Sequence, residues 1–149
     1  VGGVASDLNT AHDMRTAVGT GILANTPSEG AGDNLFFDWE HGDIQLEFDF
    51  MMPKESNSGL YLQGRYEIQM LDSWGKQRPS FSDVGGIYQR WDPDRGQGQQ
   101  GYQGHAPRMN VARAPGLWQH IQIHFQAPRF DADGRKTANA RMVEVQLNG

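Results

Sequence analysis

No cysteine occurs in the 149 residues, which excludes disulfides, thiolate nucleophiles and cysteine-ligated metals. Compartment stays open on that ground, because cysteine-free proteins occur on both sides of a membrane. No apolar run approaches the roughly 18 residues needed to span a bilayer, and no charged-then-apolar signal segment opens the chain. Basic residues are few and scattered. Thirteen Lys and Arg face 18 Asp and Glu, for a net charge of -5. Without a local basic run that balance repels a phosphate backbone or an anionic bilayer, so neither nucleic acid nor membrane insertion is expected. Helical periodicity is also scarce, and only Ala11 to Val18 reads as a helical turn. No Ser sits in a nucleophile-elbow pattern, which leaves a Ser/His/Asp triad unsupported.

What is present is alternation with a period of two. In "DIQLEFDFM" the apolar Ile44, Leu46, Phe48 and Phe50 alternate with Gln45, Glu47 and Asp49, the pattern of a strand with one dry and one wet face. "SGLYLQG" and "RYEIQML" follow, the second with Tyr66, Ile68 and Met70 inward. "GGIYQRW" comes next. "WQHIQIHF" continues the pattern through Ile121, Ile123 and Phe125, with Trp118 opening a core strand as a buried residue, and "RMVEVQL" does so through Val143, Val145 and Leu147. Short alternating strands divided by Gly, Pro and Asp turns predict an all-β antiparallel sandwich built as one domain over 1–149. With 37% hydrophobic and 21% charged residues, the chain has enough apolar content for one core. Two stretches break the alternation. Residues 1–33 read as an irregular N-terminal part, with a Gly/Ser/Pro loop from Thr26 to Asn34, and residues 92–116 read as a long loop without strand character. The final Asn148-Gly149 is a favoured hairpin turn with no return strand after it. A processed chain is one reading of that; a sandwich lacking its last strands, with an open edge, is the other.

The stretch "RYEIQMLDSWG" carries the chemistry. Arg65, Glu67 and Gln69 are two apart and share a face, whereas Asp72 falls on the other face of a regular strand. A β-bulge near Met70 and Leu71 would flip the parity and bring Asp72 into the same row, and bulges are frequent beside active sites. Trp74, Tyr88 and Trp91 are candidate stacking surfaces for a ligand, and each is equally a candidate for packing. Arg90 and His105 lie at or in the long loop, where they could close over a ligand. His120 and His124 are four apart on a strand, about 13 Å along it, too far to hold one metal ion together. "DADG" at 131–134 is read as a hairpin turn; calcium would need backbone oxygens that no motif displays, so no cofactor or metal is assigned.

"NSGLYLQGRYEIQMLDSWG" (57–75), "GGIYQ" (85–89), "APGLWQHIQIHFQAPRFDADGRKTANARM" (114–142) and the final "LNG" resemble, in order, the 3-keto-disaccharide hydrolase family. The resemblance implies a concanavalin/laminarinase-like jelly roll of two curved antiparallel sheets, with a carbohydrate cleft on the concave one. Glu67-x-Gln69-x-x-Asp72 is similar to the Glu-x-Asp-x-x-Glu strand of laminarinase-type glycosidases. It departs from it in two places: Gln69 cannot carry charge, and Asp72 is one methylene short for a pair of carboxyls about 5 to 5.5 Å apart. The resemblance implies a hydrolase or lyase acting at the glycosidic bond of 3-keto-disaccharides. Glu67 would be general base, Asp72 a second acid/base or orienting group, and Arg65 the enolate contact. Gln69, with Trp74, Tyr88, Arg90, Trp91 and His105, would bind the sugar. An extracytoplasmic setting, periplasmic or secreted, is also implied. Two other readings stand beside this one: a carbohydrate-binding module without chemistry, and a structural subunit whose open edge takes a protein partner.

Overall fold

A computed structural model describes residues 1–26 and 34–149. Its strands are β1 (Gly3–Ala5), β2 (Arg15–Ala17), β3 (Ile44–Met51), β4 (Asn57–Leu62), β5 (Tyr66–Leu71), β6 (Arg90–Trp91), β7 (Gly101–Tyr102), β8 (Trp118–Gln126), β9 (Arg129–Phe130), β10 (Lys136–Ala138) and β11 (Arg141–Leu147). No helix occurs among the described residues. The molecule is an all-β sandwich of antiparallel sheets, as the alternation predicts.

The first sheet has the order β11-β8-β3. Its register sets Ile44, Leu46 and Phe48 against Phe125, Ile123 and Ile121, and places Gln45, Glu47 and Asp49 against His124, Gln122 and His120 on the outer face. The parity of β8 puts Gln119 inward with Ile121. Gln119 is therefore buried, where its amide oxygen accepts from Arg113 N at 3.1 Å, and Trp118 points outward and is 42% exposed. That corrects the expectation of a buried Trp118.

The second sheet starts from the β4–β5 hairpin. Gln69 N donates to Gly86 O (2.9 Å) and Tyr88 N to Glu67 O (3.0 Å), which adds residues 86–88 against β5. Ile87 and His105 exchange a pair of backbone bonds at 3.0 and 2.9 Å, in the same register as Arg90↔Tyr102 and Trp91↔Gly101. Residues 87–91 and 101–105 are thus one hairpin. The expected long loop at 92–116 begins as a strand pair, because Gly101 and Tyr102 satisfy backbone groups that a free excursion would leave to water.

Between the sheets, Phe50, Ile121, Ile123, Phe125 and Leu147 meet Leu62 and Ile68, with Val84 beside them. Ile68, Ile121 and Phe125 are fully buried, each worth about 1.5–3 kcal/mol of transfer free energy. Tyr66 stacks tilted on Phe125 at 5.4 Å between ring centroids, so the second sheet meets the first near the β8 end that holds Phe125.

Two local expectations fail and one is not reached. Ala11 to Val18 does not form a helical turn: Ala11 bridges Lys54 and residues 15–17 pair with 3–5, giving the N-terminal part a hairpin. The loop expected from Thr26 to Asn34 falls mostly outside the described residues. A bulge exists, but on β11. Its register shifts between Met142 and Glu144, so Met142 and Val145 pack toward the core and the extra residue Val143 is 52% exposed rather than inward. The DADG turn closes the β9–β10 hairpin, with Asp131 Oδ1 accepting from Asp133 N and Arg135 N at 3.0 and 2.8 Å.

Candidate functional site

A cavity of about 950 Å³ opens at the end of the sandwich where the 87–91/101–105 hairpin approaches the loop between β10 and β11. Consecutive residues from 87 to 91 line it, and alternate residues of a strand face opposite ways. The cavity therefore curls around the sheet end and has two lobes. On the outer face lie Tyr61, Arg65, Glu67, Tyr88 and Arg90. Between the sheets lie Gln89, Trp91, Gln103 and His105 from the hairpin, with Phe125 and Met142; the exposed Lys136, Asn139 and Arg141 line the rim, Arg141 opposite Gln126 on the face turned away from Met142.

The outer lobe is built by cross-strand pairing. Tyr61 is directly opposite Glu67 on β4, and Tyr88 adjoins Glu67 from the other side through its backbone bond. Directly opposite residues on neighbouring strands point to one face, so the carboxylate sits between two phenols. One pair further along, Gly59 faces Gln69. A β-carbon at Gly59 would collide with Glu67 Oε1, Cδ and Cγ, so the glutamate side chain lies across a bare α-carbon. Partial desolvation of the hydroxyl, on a side chain that is 54% exposed overall, and then the adjacent Glu67 carboxylate push Tyr61 up to about 12, with Tyr88 adding a smaller share. Tyr61 is therefore a persistent hydrogen-bond donor at neutral pH. Arg90 also lies near the Tyr102 ring, 5.3 Å from its centroid.

A turn at 80–83 closes one side of this face. A β-carbon on Gly86 would strike Phe81 O and one on Gly104 the Phe81 ring, so the turn rests directly on the sheet, with Phe81 edge-on to Tyr88 at 5.4 Å. Asp83 holds the turn. It is 1% exposed, and its carboxylate accepts from Lys76 Nζ (2.7 Å), Ser80 N (2.6 Å) and Ser80 Oγ (2.8 Å). Burial works against its charged form, but the bonds from Lys76 and Ser80 outweigh it and hold the carboxyl below the usual range.

Six of the nine residues expected from the sequence share the cavity: Arg65, Glu67, Tyr88, Arg90, Trp91 and His105. Three do not. The β4–β5 register runs without a shift to Asn57↔Leu71, and Asp72 N continues it to Ser56 O at 3.0 Å. No bulge flips Asp72 onto the face of Glu67. Its oxygens instead accept from Glu55 N (2.9 Å) and Trp74 N (3.2 Å), capping the turn that follows β5. Trp74 is tied into that turn, away from the cavity. Gln69 shares the face of Glu67 but is buried, paired opposite Gly59 and bonded on its other side to Gly86, on which the 80–83 turn rests; its amide nitrogen donates to Asn57 Oδ1 at 3.3 Å. Its amide oxygen has no partner among the described residues.

Sequence reading missed Tyr61, whose place opposite Glu67 follows from the hairpin register, with Gln63 and Gly64 at its turn as the usable signal. It also missed Lys136, Asn139 and Arg141. Nothing local signals those, because the β9–β10 hairpin and the start of β11 bring them in from elements remote in sequence. The base of that hairpin is held by Asp43, whose carboxylate takes both Arg129 nitrogens at 2.6 and 2.7 Å and Ala127 N at 2.8 Å.

The profile of the 3-keto-alpha-glucoside-1,2-lyase-like domain matches residues 5–149. The chain belongs to that family. No curated protein matches it. Among solved structures it is similar to a protein from Parabacteroides distasonis ATCC 8503 described as a "putative glycosyl hydrolase", with 29% identity and a TM-score of 0.57 over 75% of this chain. The match spans 44% of that protein's length.

Proposed function

We propose that the protein acts at the glycosidic bond of 3-keto-glycosides by elimination, with Glu67 as the base. The observation that carries this is the solitude of Glu67: it is the one acidic residue lining the cavity among the described residues, set between Tyr61 and Tyr88 with Arg65 and Arg90 in the same lobe. Double displacement needs a second carboxyl about 5 to 5.5 Å away, and Asp72, its candidate, is engaged by backbone amides. A ketone at C3 removes that need, because it acidifies the hydrogen on C2.

Glu67 takes the C2 proton, the electron pair of that bond moves toward the C3 carbonyl, and the enolate oxygen that develops is held by guanidinium donors from Arg65 or Arg90. The C1–O bond then breaks as a C1–C2 double bond forms, and the protonated Glu67 gives its proton to the departing oxygen. Water adds across the double bond, oxygen to C1 and hydrogen to C2, leaving the free 3-keto sugar. Tyr61, held protonated to about 12, donates a hydrogen bond to the carboxylate or to a sugar oxygen without acting as the acid. Family membership and the Parabacteroides distasonis protein support sugar chemistry in general; the extracytoplasmic setting belongs to this proposal as well.

Release of the alcohol from a 3-keto-glucoside should fall about 10²–10⁴-fold in Glu67→Gln. Turnover equal to wild type would remove Glu67 from the chemistry. Saturable sugar binding with no turnover by the wild-type protein would instead select a carbohydrate-binding module.

A further inference from the structure

We infer that the inter-sheet lobe receives an anionic substituent, a carboxylate or a sulfate ester, on the sugar unit next to the one that reacts. This deepens the sugar-active reading and rests on it. The charge balance of the cavity is opposite to that of the molecule. The chain carries a net -5, yet Arg65, Arg90, Lys136 and Arg141 line the cavity against the one carboxylate of Glu67. Outside the cavity five of nine basic side chains, Arg15, Lys76, Arg95, Arg129 and Arg135, have a carboxylate partner among the described residues, while Lys54, Arg78, Arg108 and Arg113 do not. Among the described residues, none of the four cavity cations has one. Lys136 Nζ lies 3.4 Å from Asn139 Oδ1, and Arg90 Nη1 lies 3.4 Å from Gln103 Oε1, both neutral acceptors.

The positions of the four cations divide the work. Arg65 and Arg90 belong to the lobe of Glu67. Lys136 and Arg141 stand exposed at the rim of the other lobe, beside His105 and the neutral amides of Gln89, Gln103 and Asn139, and no acidic side chain lines it among the described residues. Like charges left facing a shared cavity repel one another, and an anion entering it relieves that repulsion while accepting charge-assisted hydrogen bonds. A ligand reaching from Glu67 around the hairpin end would place its second sugar unit there.

The test is titration calorimetry with Glu67→Gln protein, so that chemistry does not interfere. It compares three 3-keto-disaccharides of one linkage: 3-keto-glucosyl-glucose, 3-keto-glucosyl-glucuronate, and 3-keto-glucosyl-glucose sulfated at O6 of the second unit. At low salt at least one acidic disaccharide should bind ten-fold or more tighter than the neutral one, with the preference shrinking as salt rises. Which of the two is preferred identifies the anion. Lys136→Gln and Arg141→Gln should each cut the preference several-fold while the neutral disaccharide binds as before. Equal affinities for all three, or a preference that survives both substitutions, would overturn the inference and leave the sugar reading standing. Free glucuronate and sulfate binding as tightly as the acidic disaccharides would also overturn it, marking an unspecific anion patch. Absence of binding by any of the three would overturn both readings.

Discussion

Asp83 and Glu67 are two carboxylates in cationic company, and the fold treats them in opposite ways. Asp83 is buried, takes bonds from Lys76 and from Ser80, and is held ionised by them. Glu67 lies on a cavity wall with Arg65 and Arg90 nearby, and has no ion pair among the described residues. In the first place charge complementarity is used up inside the protein, to pin a turn on the sheet. In the second it is left open, and open complementarity in a cavity is what a ligand can complete.

Exchanging the two acids for neutral residues should give reciprocal outcomes. Glu67→Gln should lose about 10²–10⁴-fold in turnover and shift stability by less than about 0.5 kcal/mol. Asp83→Ala should lose about 3 kcal/mol in urea unfolding, because Lys76 and the Ser80 amide are left without their acceptor. It should reduce turnover only as Phe81 detaches from Tyr88. Stability losses of equal size in both variants would erase the distinction.

A finer break comes from Gly59. In Gly59→Ala the new methyl must displace the Glu67 carboxylate, so turnover should drop about ten-fold with substrate affinity little changed, as expected when a reacting group is moved by a fraction of its reach. Steady-state kinetics would show it as a fall in kcat; an unchanged kcat would mean that Glu67 works from another rotamer. Acid sharpens the contrast on the structural side. The bond from Arg129, then that from Ala127 N, lowers Asp43 from 3.8 to about 2 against opposing desolvation. A depressed folded value means that the stabilisation is complete above pH 4 and lost as pH falls from 4 toward 2. Unfolding free energy followed down this range should fall less steeply in Asp43→Asn than in wild type. The smallest effect is expected for Tyr61→Phe, a few-fold loss of turnover with the pH profile kept, since its hydroxyl donates a bond and transfers no proton.

The alternation from Ile44 to Phe50 and from Ile121 to Phe125 was legible because one face of each strand is dry, and a one-residue slip would bury its polar set. Parity inside irregular stretches was not. A bulge was expected at Met70 and Leu71 and occurs at Val143, because "RMVEVQL" and "YEIQMLD" both offer apolar residues on either parity, and the choice is made by the partner strand. Asp72 was drawn to a capping role that any Asp before a turn can take. Trp118 followed its neighbours in hydrophobicity but not in direction. The group of four cations had no signature at all: positions 65, 90, 136 and 141 are remote in sequence, and the expectation that no basic cluster exists held only along the chain, not in space.

The Asp43–Arg129 clamp fixes the foot of an arm that leaves the first sheet and ends at the cavity rim. A sugar touching both Glu67 and Lys136 would bridge the two layers of the sandwich, so its occupancy should resist heat unfolding of the whole domain. Cutting the clamp should loosen grip at one end of the ligand while the other end still reacts.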